Sequence, residues 1–145
     1  MNTEKLIIYT EGAAWGNPGP AVMAFIIEDE NGSIKEDVAL LLGYTTNNQA
    51  EYIAIIAALE KAISLGAKNV AVKSDSLLVV KQINGKFKIK DFVLQLLYKK
   101  VMQLAGSLES FTITYIYRSQ NAAAKGLAYK TVDTYYHPPL TLPPP

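Results

Sequence analysis

Three acids and a pair of amides carry the chemistry this sequence can offer. Glu11 follows the strand-like run Leu6-Ile7-Ile8-Tyr9, Asp75 ends the run Asn69-Val-Ala-Val-Lys-Ser-Asp75, and Glu51 stands near the start of a helical pattern. Asn47 and Asn48 precede Glu51 by four and three residues, so all three share one helix face. Carboxylates brought together repel unless a cation or a proton lies between them. With no cysteine in the chain and no histidine near these positions, hard oxygen ligands favour Mg²⁺ or Mn²⁺ over zinc. The chemistry implied is phosphoryl transfer, with metal ions activating water and stabilising the leaving oxygen. Singly, each acid has a plainer reading: Glu11 a turn residue, Glu51 a helix-dipole acid, Asp75 an N-cap.

The elements that must position these groups can be read from periodicity. Strands are expected at 5–10, 21–27 and 34–43, with Asn31-Gly32 as the hairpin signal between the second and third. Between the first two, Gly12, Gly16 and Gly19 permit tight or left-handed backbone, while Pro18 and Pro20 stiffen the exit. Thr46 or Asn47 caps a long helix that carries Tyr52, Ile55, Ile56, Leu59 and Ile63 and stops at Gly66. A fourth strand at 69–75, a short helix at 76–83, and a second long helix carrying Val93, Leu97, Val101, Leu104 and Leu108 follow. Alternation at 111–117 gives a fifth strand, and the last helix runs from Asn121 to about Tyr136. This order predicts a mixed sheet, an antiparallel meander followed by parallel strands reached through helical crossovers. Ligands on such sheets gather beyond the carboxyl ends of neighbouring strands, where Glu11 and Asp75 fall.

Composition bounds the rest. The 145 residues suit one domain, residues 1–137, with an extended proline-rich tail at 138–145 that docks, binds a partner or stays disordered. No apolar run approaches the ~18 residues needed to span a bilayer, and the N-terminus lacks a signal-peptide pattern, so no membrane partner and a cytoplasmic location are expected. A net charge of +1 argues against general polyanion binding. Lys81, Lys86, Lys88, Lys90, Lys99 and Lys100 nevertheless crowd one segment, a strip that suits a nucleic-acid backbone or a solvated helix face.

Four blocks, in order and with compatible spacing, carry a family resemblance. They are Tyr-Thr-Glu-Gly-(x)₄-Asn-Pro-Gly-Pro at 9–20, Thr-Asn-Asn-Gln-Ala-Glu-Tyr at 46–52, Ser-Asp-Ser at 74–76, and Arg118-(x)₂-Asn-(x)₂-Ala-Lys-(x)-Leu-Ala128. The chain resembles the type 1 ribonuclease H family in its short form, without the basic protrusion. The resemblance implies an α/β ribonuclease H-like fold, a five-stranded mixed sheet flanked by helices, and metal-dependent cleavage of the RNA strand of RNA/DNA hybrids. By the same resemblance, Glu51 and Asp75 match two of four catalytic acids. Asn17, Asn47 and Asn48 match readers of ribose 2′-hydroxyls, a task suited to amides that both donate and accept. Thr46 matches a DNA-phosphate contact. Phe87, between Lys86 and Lys88, takes the place of an aromatic lining the DNA-strand channel, or else is a core residue. Trp15 reads as a shielded loop anchor.

Two departures fall on the chemistry. The first catalytic acid is Glu11 rather than Asp, and the fourth is replaced by Lys125. The extra methylene shifts the ligand oxygens at a site where Mg²⁺ requires ~2.0–2.1 Å contacts, and ångström-scale misplacement can cost ~10²-fold in rate. Lysine for aspartate moves the formal charge of the site by about two units, weakening a first ion and opposing a second. Leu77 also replaces a polar residue that some members use on the RNA strand. Asp133 cannot substitute for the lost acid, because eight residues of helix separate it from Lys125 by ~12 Å. The expectation is a domain that recognises RNA/DNA hybrids or a related duplex, with hydrolysis impaired and Mg²⁺ or Mn²⁺ weakly held on Glu11, Glu51 and Asp75. The alternative is an inactive binding or interaction module in which Lys125 neutralises the acids.

Overall fold

The computed structural model describes residues 4–136. The proline-rich tail expected at 138–145, and His137 before it, lie outside the described residues. The elements are β1 (Lys5–Ala14), β2 (Gly19–Glu28), β3 (Ile34–Thr45), α1 (Asn47–Ser64), β4 (Asn69–Ser74), α2 (Leu77–Ile83), α3 (Phe92–Ala105), β5 (Ser110–Tyr115), a 3-10 turn (Arg118–Asn121) and α4 (Ala122–Tyr135). They build one five-stranded sheet in the order β3-β2-β1-β4-β5. The β1–β2 and β2–β3 pairs are antiparallel, and β4 runs parallel to β1 and to β5. The expected meander and crossovers are both present.

Two cores lie on opposite faces because strand side chains alternate. Leu6, Ile8, Met23, Phe25 and Ile27 meet Tyr52, Ile55 and Leu59 of α1 and Val101 of α3. On the other face Ala13, Val22 and Ala24 pack with Trp15 against Ala128 and Val132 of α4. The first strand was expected to be buried on both faces. Leu6 and Ile8 are fully buried, but Ile7 and Tyr9 are only half-buried, since α4 covers its face of the sheet in part.

Several boundaries differ from the sequence reading. β1 continues to Ala14 instead of ending at residue 10, because its ladder with β2 extends to the pair Ala14–Ala21. Gly12 therefore sits inside a strand rather than in a turn; of Gly12, Gly16 and Gly19, Gly16 alone has a positive φ, 111°. β2 and β3 are likewise longer than 21–27 and 34–43, whereas β4 ends at Ser74 and β5 at Tyr115. In α3 the buried residues are Leu94 and Val101, while Val93 is exposed. Asp91 caps that helix by accepting from Leu94 N–H, and Leu97 and Leu104 pack on the core as expected. Leu108 lies beyond the helix yet still packs on the core. Asn121 closes the 3-10 turn, one residue before α4 starts. No helix among the described residues is long and apolar enough to cross a membrane.

Candidate metal and nucleic-acid site

The site forms where the parallel ladder between β1 and β4 stops. Its last pair is Thr10–Ser74, so Glu11 and Asp75 are the next residues on adjacent strands. Neighbouring strands lie only ~4.8 Å apart, which brings the two carboxylates side by side. Glu51 arrives from α1, whose N-terminal part rests directly on the β1 backbone at Gly12. A Cβ on Gly12 would lie 2.2 Å from the Ala50 carbonyl carbon, so glycine is required by close approach. That approach lets the Gly12 N–H donate to Glu51 Oε1 at 2.7 Å. The expected convergence is present: one oxygen from each of Glu11, Glu51 and Asp75 lies within 4.8 Å of the others.

Lys125 enters from the first turn of α4. The 3-10 turn before it is pinned by Asn121, whose Nδ2 donates to the Thr10 carbonyl at 2.9 Å. From this anchored start, Lys125 Nζ donates to Glu11 Oε2 at 2.8 Å and forms an ion pair with Asp75 Oδ2 at 2.8 Å, off the axis of a hydrogen bond. The side chains of Lys125, Glu11 and Asp75 are 14%, 2% and 4% exposed, so the cluster is nearly dry. Buried Oε1 of Glu11 has no hydrogen-bond partner among the described residues, nor has the buried hydroxyl of Tyr129, one helical turn beyond Lys125.

Burial and crowding set the protonation. Burial raises the Glu11 pKa above the ordinary carboxylate value; Lys125 opposes this and Asp75 adds to it. Glu51 is raised well above that value by burial and by repulsion from Glu11 and Asp75. For Lys125 burial works downward, but the contacts with Asp75 and Glu11 outweigh it and the ammonium is held above its ordinary value.

The three carboxylates offer hard oxygen donors suited to one divalent cation, and the unpartnered Oε1 of Glu11 is a ligand in waiting. Lys125 already engages Glu11 and Asp75, leaving an ion to compete with it. The crevice above them, about 210 Å³, is also lined by Asn47, Ser76 and Arg118. Asn17, on the exposed loop before β2, accepts from the Asn47 N–H through Oδ1 at 3.0 Å. Thr46 is the N-cap of α1, its hydroxyl accepting from Gln49 N–H at 3.2 Å. Asn48 is half-buried in the first turn of α1. Phe87, Lys86 and Lys88 stand apart on the loop after α2, and Phe87 is 49% exposed, which rules out the core reading. Trp15 is a buried anchor, as expected, edge-on to Tyr129. Arg118 is the residue the sequence reading passed over. Its place three residues before Asn121 in the last block was the available signal.

Comparison with known proteins agrees with this architecture. Residues 10–131 match the model of the reverse transcriptase-like family. The chain is 36% identical over 125 residues to ribonuclease HI of Halobacterium salinarum, covering 86% of this chain and 63% of that protein. It therefore spans less than two thirds of that relative's length. The crystal structure of ribonuclease H1 from Halobacterium salinarum superposes with a TM-score of 0.87 at 35% identity, over 90% of this chain and 98% of that one. LC11 ribonuclease H1, crystallised in complex with an RNA/DNA hybrid, gives 0.83 at 36% identity, over 89% and 97%. The four sequence blocks, the sheet order and these likenesses agree, and the chain belongs to the reverse transcriptase-like family as a ribonuclease H domain.

Proposed function

We propose that this domain binds RNA/DNA hybrids, with metal-dependent hydrolysis of the RNA strand held down by Lys125 and Glu11. The observation that carries the reading is the ammonium of Lys125, 2.8 Å from a carboxylate oxygen of Glu11 and 2.8 Å from one of Asp75. A divalent cation on Glu11, Glu51 and Asp75 would activate water and offset charge on the leaving oxygen. Lys125 competes for those oxygens and lowers the negative charge that would attract the ion. The longer side chain of Glu11 extends Oε2 to the lysine. Recognition does not need the ion. Asn17 uses its Oδ1 on Asn47, which leaves its amide NH₂ to donate to a ribose 2′-hydroxyl. Asn47 faces the acid crevice, and Thr46 and Asn48 flank it on the same helix start. The LC11 enzyme's complex with a hybrid supports carrying this substrate class over to the chain.

The test is hybrid cleavage with Mg²⁺ and with Mn²⁺ by this chain and by the double variant Glu11→Asp, Lys125→Asp. Cutting by the variant alone supports the reading, and rapid cutting by the unmodified chain overturns it. The second reading, a binding or interaction module without catalysis, draws on the same ion pairs. It predicts tight hybrid binding, or none, with a variant that remains inert.

A further inference from the structure

Where α4 leaves its face of the sheet uncovered, a second cavity of about 230 Å³ opens. Tyr9 of β1 lines it with Ile26 and Glu28 of β2, and Asn121, Ala123 and Ala124 face them from the start of α4. Gln120 closes one side, held by its Oε1, which accepts from Tyr117 N–H at 3.1 Å. The cavity shares no lining residue with the acid crevice. Asn121 is buried and gives its Nδ2 to the Thr10 carbonyl at 2.9 Å. A carbonyl can only accept, so that bond fixes the orientation of the amide and leaves Oδ1 as its remaining polar atom. This Oδ1 is buried and has no hydrogen-bond partner among the described residues. Buried amide oxygens are seldom unpaired, and this one calls for a donor.

Charge narrows the ligand. Glu28 is half-buried and forms no ion pair among the described residues. Residues paired across strands share a face, which adds Asp37 opposite Ile26 and Lys73 opposite Tyr9. The balance of the three is negative, and an anion is disfavoured. A hard metal ion gathers several oxygens, and among the described residues the one group of acids close enough to hold an ion is Glu11, Glu51 and Asp75. An organic cation is left, with Ile26, Ala123 and Ala124 suited to a short apolar stem. A guanidinium carries five donors in a rigid plane, so it can fork onto a carboxylate and still donate to an amide oxygen. It is also less strongly hydrated than an ammonium, and so enters an apolar-walled cavity more readily. We infer that the cavity is a binding site for a guanidinium group on a short alkyl stem, donating to Glu28 and to Asn121 Oδ1. The site does not depend on hybrid binding or on a metal ion in the acid crevice.

The experiment titrates the full chain, followed by amide NMR, with n-butylguanidinium and with its neutral isostere n-butylurea. The guanidinium is expected to give saturable shifts at the Asn121 side-chain amide and at the Ala123 and Ala124 N–H. The urea should bind about tenfold more weakly, having no charge to set against Glu28. Glu28→Gln should weaken the guanidinium about tenfold, the effect of one lost charge-assisted contact. Ala123→Leu, at an exposed position, should block the cavity and abolish the shifts; if it folds poorly, Ala123→Val serves instead. A free guanidine and the arginine of a peptide share this chemistry. A capped Gly-Arg-Gly peptide that binds more tightly than n-butylguanidinium assigns the peptide as source, and equal affinity assigns the free guanidine. Equal binding of guanidinium and urea, unchanged affinity in Glu28→Gln, or no saturable shift at millimolar ligand would each overturn the assignment. So would shifts centred on Gly12 and Ser76, which would place the cation in the acid crevice instead. Hybrid binding measured in parallel keeps the two readings separate, since its failure counts against the proposed function alone.

Discussion

Removing the ammonium from the acid cluster is the sharpest perturbation available. In Lys125→Met the aliphatic stem is largely conserved and only the charge and its donors are lost. Two contacts at 2.8 Å disappear together. At an effective dielectric near 20 each is worth about 6 kcal/mol before desolvation. Much of that is offset by the cost of taking the ammonium out of water. Breaking a buried pair from one side nets a loss of about 3–5 kcal/mol, against a total stability on the order of 5–15 kcal/mol for a domain. The variant should lose a large part of its stability in metal-free buffer at neutral pH.

The pH dependence has a definite sign. Glu11 and Glu51 have native pKa values raised above the unfolded ones, so the native state holds protons that the unfolded state releases. Their contribution to stability is present below the ordinary carboxylate value and fades as pH rises through the raised native values. The Lys125 pKa is also raised, so its contribution persists to the ordinary lysine value and is lost as pH rises through its native one. Without the lysine both glutamates rise further, and the decline with pH steepens. Urea unfolding followed by Trp15 fluorescence, with chelator and across pH, measures this. Acid should narrow the gap to the unmodified chain, as should Mg²⁺ or Mn²⁺, which stabilises by binding only the native state. Equal stability of the two proteins at neutral pH without divalent ions would refute the reasoning.

Three further substitutions probe what positions the site. Gly12→Ala forces a methyl against the Ala50 backbone and should cost about 3 kcal/mol, read as a lowered thermal midpoint. Asn121→Ala removes the bond to the buried Thr10 carbonyl and should cost about 1–3 kcal/mol. It should also broaden the Lys125 side-chain resonance in NMR by loosening the start of α4. Thr46→Ala deletes the cap of α1 and should cost about 1 kcal/mol, seen in denaturant unfolding, while weakening hybrid binding measured by anisotropy.

The site was legible wherever a short local pattern decided it, and obscure where packing across elements did. Periodicity identified every strand and α-helix, and the strand ends with the start of α1 brought Glu11, Asp75 and Glu51 together. Gly12 was misread because glycine serves equally in a turn and beneath a closely packed helix; only the Ala50 backbone lying on it distinguishes the two. The face of α3 was read correctly at Leu97, Val101, Leu104 and Leu108, which are buried or packed on the core, and missed at its first turn, where Leu94 and not Val93 turns inward. Phe87 could not be assigned for a related reason. An aromatic between lysines looks the same whether an element covers it or a cavity lies beside it.

The two altered acids act as one change when seen from the cluster. An aspartate at position 11 would end one methylene shorter, retreating from Lys125, and an ammonium left with Asp75 alone would be half satisfied in a nearly dry site. An aspartate at position 125 beside Glu11 would restore a fourth negative charge to a pocket where burial already lifts two glutamates toward neutrality. Either single reversion breaks the balance: Glu11→Asp keeps the charge but withdraws a partner from Lys125, and Lys125→Asp exchanges a cation for an anion. The effects of the two reversions should therefore be non-additive, with a coupling of about 0.5–3 kcal/mol, as expected for groups in direct contact. The same balance explains why the acids can remain together without an ion: Lys125 supplies, through Glu11 and Asp75, the positive charge that a cation would otherwise bring.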